Sequence, residues 1–411
     1  MARDAQGKVL FVEGALPGER VSFRSAEKKR SFEVGRVVEI LQPSAGRRPP
    51  PCPHFGTCGG CASQHADART QMAAKQRGLE ENLARIGKVR PETLLPIVYG
   101  EEWGYRRRAR LSARYVTRKE RVLVGFRERR STHVADIDAC LVLDRRVSAL
   151  LRPLGDLVGR LSIPNRIPQV EVAAGDAAVV LVFRHLEPLN QQDLELLKRF
   201  AETTGIHVWL QPKGPDSAHP FHPPESELHY ELPEFGVRIA FRPTDFTQVN
   251  HGVNRILVSR AVRLLDPRPG ERVADLFCGL GNFSLPLARR GAHVVGFEGS
   301  RVLVDRAREN ATANGLIAQF EVADLFKSGI GPFGPFEKLL IDPPREGAIE
   351  IVKALPREWP RRIVYVSCDD ATLARDAGVL VNVQGFRLAA AGVVNMFPHT
   401  AHVESVALFE R

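Results

Sequence analysis

The feature that most constrains the fold of this chain is a change of texture at Gly270. From there on, short buried-type runs alternate with helical ones: 273–277, a glycine turn, a helical run over 284–290, then 293–297, a helical run over 302–314, 338–341 and 363–366. Parallel strands cannot be joined by tight turns, so this alternation predicts a parallel sheet wrapped by helices. Before Gly270 the texture is different. Residues 8–41 read as a small β unit built around the turn-rich Gly14-Ala15-Leu16-Pro17-Gly18, and five prolines between Gln42 and Pro53 mark a boundary. A helix is expected over 66–87, short β-like runs over 97–182 (109–116, 121–126 and 170–172 among them), an amphipathic helix over 189–204, and an exposed polar loop over 212–224. A length of 411 residues exceeds one ordinary core and suggests two or three units; the changes of texture are taken to divide it at 1–43, 44–235 and 236–411.

The segment Asp275-Leu276-Phe277-Cys278-Gly279-Leu280-Gly281-Asn282-Phe283 lies where a strand ends and a helix begins. That is the ligand crevice of an open α/β sheet, and Gly279 and Gly281 let the backbone approach a ligand closely. The next strand ends in Glu298, 17 residues after Gly281, where an acid can accept hydrogen bonds from both ribose hydroxyls. Two later strands lead to Asp324 and to Asp342-Pro343-Pro344-Arg345. Asp275, Glu298, Asp324 and Asp342 thus predict an acidic rim. Such a rim repels a pyrophosphate dinucleotide and suits the sulfonium, amine and ribose of S-adenosylmethionine.

Cys368 follows the run 363–366 and is expected on the same sheet edge. A buried structural cysteine is common at such a place. A thiolate is also what carbon 5 of a uracil requires, because that carbon becomes nucleophilic only after something adds at carbon 6. A base must then remove the carbon 5 proton. The tail Phe397-Pro398-His399-Thr400-Ala401-His402-Val403-Glu404 offers three candidates, His399, His402 and Glu404, the last at the start of a final β-like run. Cys278 is a rival nucleophile, with a cofactor-lining role preferred for it.

Cys52, Cys58, Cys61 and Cys140 follow C-x5-C-x2-C-x78-C. Four thiolates can hold zinc or an iron–sulfur cluster, and spacing alone does not choose. The net charge of +10 is concentrated: between Tyr105 and Arg130 there are eleven Lys or Arg residues against Glu120 and Glu128, with Tyr105, Tyr115 and Phe126 interleaved. Such a stretch neutralises phosphates and offers rings to unstacked bases, although a solvated basic face has the same composition. No apolar run approaches the roughly 20 residues of a bilayer span, and the first residues do not read as a signal peptide, so a cytoplasmic location is the default expectation.

Together these residues resemble the bacterial 23S ribosomal RNA (uracil-5-)-methyltransferases that carry an N-terminal TRAM domain. The most specific pieces are the cysteine framework, Asp245-Phe246-Thr247-Gln248-Val249-Asn250, the Asp275 glycine turn, Asp342-Pro343-Pro344-Arg345, Ser367-Cys368 and His402-Val403-Glu404. The resemblance implies an α/β fold: a Rossmann-like S-adenosylmethionine-dependent methyltransferase domain, preceded by a mixed β central RNA-binding domain and a small OB-like TRAM β-barrel, short of its first strand. It implies Cys368 as nucleophile and Glu404 as base. It implies Gln248, Phe277, Asn282, Glu298, Asp324 and Asp342 around S-adenosylmethionine, Phe246 as a platform for the target base, and a [4Fe–4S] cluster on Cys52, Cys58, Cys61 and Cys140. The implied partner is 23S ribosomal RNA, with no membrane involved and a monomeric chain. One departure stands out: the family usually has Asn-Pro after the nucleophile, where this chain has Asp369-Asp370. An extra acid there is expected to raise the thiol pKa.

Overall fold

The computed structural model describes residues 2–3, 6–328, 330 and 333–411. Its largest sheet has eight strands in the order Gln319–Val322, His293–Glu298, Arg272–Leu276, Lys338–Ile341, Arg362–Ser367, Glu404–Glu410, Arg387–Val394 and Thr93–Leu94. The first five are parallel, and Glu404–Glu410 is inserted antiparallel between Arg362–Ser367 and Arg387–Val394. Strand order reverses between Arg272–Leu276 and Lys338–Ile341, which opens the crevice at the C-terminal ends of those strands. Helices His251–Leu265, Ser284–Arg289, Arg301–Ala313 and Asp370–Asn382 cover the two faces. Their buried apolar residues, such as Leu257, Val304, Leu373 and Ala377, form the core with Leu339, Val364 and Phe409 of the strands.

A second sheet of six strands runs His219–His222, His207–Gln211, Val179–Arg184, Gln169–Ala174, Arg108–Val116, Arg121–Gly125. Helices Leu151–Arg160 and Gln191–Thr204 pack on it through Leu154, Leu157, Leu197 and Ala201. The first of these strands falls in the 212–224 stretch expected as a polar loop: its backbone pairs with His207–Gln211, and pairing outweighs composition there. The N-terminal residues form a four-stranded sheet, Ala2–Arg3, Val9–Glu13, Phe32–Gln42, Arg20–Lys28, in that spatial order. None of its described apolar side chains is fully buried. It is tied on by ion pairs, Arg47 with Glu19 and Arg129 with Glu13 at 2.7 Å.

Packing crosses the sequence divisions expected at 43 and 235. The helix Ala68–Asn82 is capped by Asp67, which accepts from the Thr70 N–H at 2.7 Å, and it buries Leu79 against the C-terminal body. The chain continues to Gly87, which lies so close to the Asp370–Asn382 helix that a Cβ there would meet the Ala374 carbonyl at 2.3 Å. The hairpin Leu228–Leu232 with Val237–Phe241 likewise joins the core beneath the His251–Leu265 helix. No helix among the described residues is long and apolar enough to cross a membrane.

Candidate active site

At the end of strand Arg272–Leu276 the chain turns through three residues of positive φ, Phe277 at 65°, Gly279 at 53° and Gly281 at 89°. A Cβ at Gly281 would sit 3.1 Å from Leu285 Cγ, so the turn is closed to side chains on that side. Glu298 braces it from the next strand: Gly279 N–H donates to Oε2 at 3.2 Å and Ser300 N–H to Oε1 at 2.9 Å. Asn282 is held by Tyr230 Oη, which donates to its Oδ1 at 2.9 Å, and by a reciprocal amide pair with Asn254 at 2.9 and 3.0 Å.

This turn forms one wall of a cavity of about 540 Å³. Gln248, Phe277, Asn282, Glu298 and Asp342 of the expected cofactor set line it, and so do Phe246, Cys368 and Glu404. Asp324 does not: it is exposed and paired with Lys327 at 3.0 Å, beyond the lining. Asp275 also leaves the expected acidic rim. It is fully buried, accepts from Ser284 Oγ at 2.5 Å, and is pushed up to about 7 by burial and then by the charge of Asp342, so it braces the turn from behind. Tyr230, Thr247, Phe283, Arg345, Phe397 and His402 are among its other lining residues. Of these, Tyr230 had no signal in the sequence, because it comes from a hairpin distant in the chain.

The residues present fit an S-adenosylmethionine-like ligand. Gly279 has open space where a Cβ would stand, and Thr247 Oγ1 is buried on the cavity wall without a partner among the described residues. The Glu298 and Asp342 carboxylates suit ribose hydroxyls and a cation.

Sheet register brings the reacting groups together. Ser367 pairs with Ser405 across the antiparallel strands, so Cys368 and Glu404 each stand one step beyond that pair, at the same edge. Glu404 is buried, and burial followed by the Asp342 charge pushes its pKa well up. Asp342 is itself pushed up by burial, to about 7. Burial, then Glu404 and Asp342, push the Cys368 thiol up to about 11, against the opposing pull of Arg345. Asp369 acts elsewhere. It caps the Asp370–Asn382 helix, accepting from Ala371 and Thr372 N–H at 3.1 and 3.0 Å. The expectation that this acid raises the thiol is therefore corrected: the carboxylates that do so are Glu404 and Asp342. Asp at the cap and Asp at the first helical position do the same structural work as Asn followed by Pro.

The loop carrying Phe246 and Gln248 is fastened to the basic strand. Arg108 donates to the carbonyls of Asp245 and, at 2.9 Å, Pro243, while Arg107 N–H donates to the Val249 carbonyl at 2.8 Å. Asp245 adds an ion pair to Arg306 at 3.1 Å. Phe246 is left 70% exposed at the cavity rim. Of the three candidate bases, His402 lines the cavity 3.4 Å from Arg345, whereas His399 is buried away from it, stacked on Trp103 at 3.9 Å. Cys278 lines the turn with its thiol buried and its pKa well raised, which suits the lining role.

A second site lies in the middle of the chain. Cys52, Cys58, Cys61 and Cys140 line one cavity with Gln64, Phe126 and Ile137. Among the described residues no set of three or more His, Cys, Asp or Glu side chains closes round a single metal ion. Burial, with a smaller contribution from charge on Cys140, Cys58 and Cys52, pushes the Cys61 thiol up to about 12 against the pull of a Gln64 hydrogen bond.

A family model described as tRNA (Uracil-5-)-methyltransferase matches residues 67–325 and 333–411. The 23S rRNA (uracil(1939)-C(5))-methyltransferase RlmD of Thiobacillus denitrificans is 62% identical over 411 residues, covering 98% of this chain and 95% of that protein. The protein of the same name from Nitrosospira multiformis is 59% identical over 415 residues, covering 99% and 94%. Among solved structures, the Pyrococcus abyssi tRNA (uracil-54, C5)-methyltransferase in complex with S-adenosyl-L-homocysteine superposes with a TM-score of 0.76 at 25% identity, over 97% of this chain and 94% of that one.

Proposed function

The chain belongs to the tRNA (Uracil-5-)-methyltransferase family, and from that premise we propose that it methylates carbon 5 of a uridine in 23S ribosomal RNA. The observation that carries this reading is the meeting of Cys368, Glu404, Asp342 and the glycine turn in one cavity. S-adenosylmethionine, when bound, supplies an electrophilic methyl group. The rest falls to the chain's own residues. Cys368 Sγ adds to carbon 6 of the uracil, and Arg345 is the cation that favours its thiolate. Glu404 takes the carbon 5 proton, after which the Cys368–carbon 6 bond breaks and the thiolate leaves. Burial, then the Asp342 charge, push the Glu404 pKa well up. A positive charge held near both carboxyls offsets that upward push and favours the Glu404 carboxylate as base. Phe246, exposed at the rim, suits stacking on a base drawn out of its helix.

Ribosomal rather than transfer RNA is favoured by the relatives of 62% and 59% identity, whose names specify 23S rRNA and position 1939. That position is the first to map. The four cysteines are assigned to a [4Fe–4S] cluster, a reading supported by an all-thiol donor set at a single cavity. The N-terminal sheet fits the TRAM-like role, and the arginines of the Arg108–Val116 strand and its neighbours supply phosphate contacts. A second reading, a non-catalytic RNA-binding protein, would rest on the departure Asp369-Asp370, and the helix-capping role of Asp369 accounts for that departure without it. The test is Cys368→Ala: methylation of unmodified ribosomal RNA is lost while cofactor binding, measured by calorimetry, is retained. Methylation at the parent rate by that variant excludes the covalent route.

A further inference from the structure

Between strands Arg387–Val394 and Glu404–Glu410 the chain makes an irregular loop, 395–403, that delivers Phe397 and His402 to the cavity and leads directly into Glu404. The loop is strained, with His399 at φ 64°. Groups from residues 62–105, outside its own hairpin, hold it. Lys75 Nζ donates to Asn395 Oδ1 at 2.8 Å and to the Phe397 carbonyl at 2.9 Å. Gln71 Oε1 accepts from the His399 N–H at 2.9 Å, while its amide stands 3.2 Å from His399 Nδ1. Ala62 and Ser63 N–H, directly after Cys61, donate to the His399 carbonyl at 2.7 and 3.1 Å. Tyr105 Oη donates to the Pro398 carbonyl at 3.0 Å.

Lys75 is the unusual member. It is 7% exposed, and among the described residues it has no carboxylate partner. Burial lowers its pKa to about 8, so the ammonium is kept at a cost to folding that an apolar residue of similar length avoids. Both of its acceptors lie in the loop ahead of Glu404. A residue serving only to pack the Ala68–Asn82 helix has no need of that ammonium.

We propose that Lys75 is a positioning residue for proton removal: its ammonium, seconded by Gln71, holds the 395–403 loop so that Glu404 meets carbon 5. This rests on the assignment of Cys368 as nucleophile and Glu404 as base. When Glu404 is misplaced, the Cys368–RNA bond still forms but breaks slowly, so covalent complex builds up. The experiment uses the full chain, purified anaerobically, with S-adenosylmethionine and unmodified 23S rRNA. It compares the parent, Lys75→Met and Glu404→Gln for turnover and for RNA-bound protein that survives denaturing electrophoresis.

For Lys75→Met, turnover is expected to fall roughly 10- to 100-fold, the effect of deleting a charge-assisted hydrogen bond from a catalytic loop. Covalent complex should accumulate as in Glu404→Gln, with cofactor affinity little changed. A Lys75→Met protein that turns over like the parent overturns the proposal. So does slow turnover without accumulated complex while Glu404→Gln accumulates it, because that pattern is general loosening. If neither variant accumulates complex, the covalent assignment fails, and this proposal with it. Should Lys75→Met not fold, Gln71→Leu is read by the same criteria.

Discussion

The resting state of Cys368 gives a prediction with a number attached. Burial and the nearby carboxylates push its thiol up to about 11, so at pH 8 only about one molecule in 10³ carries the thiolate in the free protein. Only the thiolate reacts with iodoacetamide. The alkylation rate of Cys368 should therefore rise about tenfold per pH unit from 7 to 9.5, with no plateau in that range. The assay follows the Cys368 peptide by mass spectrometry over a time course, with Cys368→Ser as the blank. Asp342→Asn removes one of the raising charges and should move the whole profile to lower pH, making Cys368 faster at pH 8. Arg345→Gln removes the opposing cation and should slow it. A plateau below pH 9 in the free protein refutes this account of the thiol. It would mean that the carboxylates around Cys368 do not govern its ionisation.

Other consequences follow from individual side chains. Asp369→Ala deletes a helix cap and should cost about 1 kcal/mol, read as a lower denaturant midpoint, whereas Asp369→Asn with Asp370→Pro should keep both stability and turnover. Phe246→Ala removes a stacking platform worth about 1–3 kcal/mol per base, so kcat/KM for RNA should drop about 5- to 150-fold with cofactor affinity little changed. The Arg47 hydrogen bond holds the Glu19 carboxyl down at about 2. Because that folded-state pKa is depressed, the stabilisation is present above the ordinary carboxylate pKa near 4.5 and is lost as pH falls towards 2. The N-terminal sheet, with no fully buried apolar side chain among its described residues, should become protease-sensitive in that acid window before the C-terminal body does.

Much of the site could be read from the sequence because its residues sit at strand ends. Glu298, Asp342, Cys368 and the glycine turn each follow a recognisable buried run, and parallel strands bring their C-terminal ends to one edge. The pairing of Cys368 with Glu404 could not be read, since it depends on an antiparallel strand inserted in one register, which no local pattern specifies. The same limit explains His399 and Asp324. His399 has the chemistry of a base but is turned away by a left-handed backbone and stacked on Trp103. Asp324 follows a strand as Glu298 does, yet the Gln319–Val322 strand lies at the sheet edge, and its acid is left in solvent. Tyr230, Asn254 and Lys75 act across long sequence separations, where periodicity carries no information.

The most direct test of the account is the identity of the product. Anaerobically purified protein would be incubated with isotope-labelled S-adenosylmethionine and either unmodified 23S ribosomal RNA or unmodified transfer RNA. The nucleosides of each digest would then be separated and weighed. Labelled 5-methyluridine from the ribosomal RNA alone is the predicted result. Label in 5-methyluridine from transfer RNA alone, or in a nucleoside other than 5-methyluridine, would contradict it.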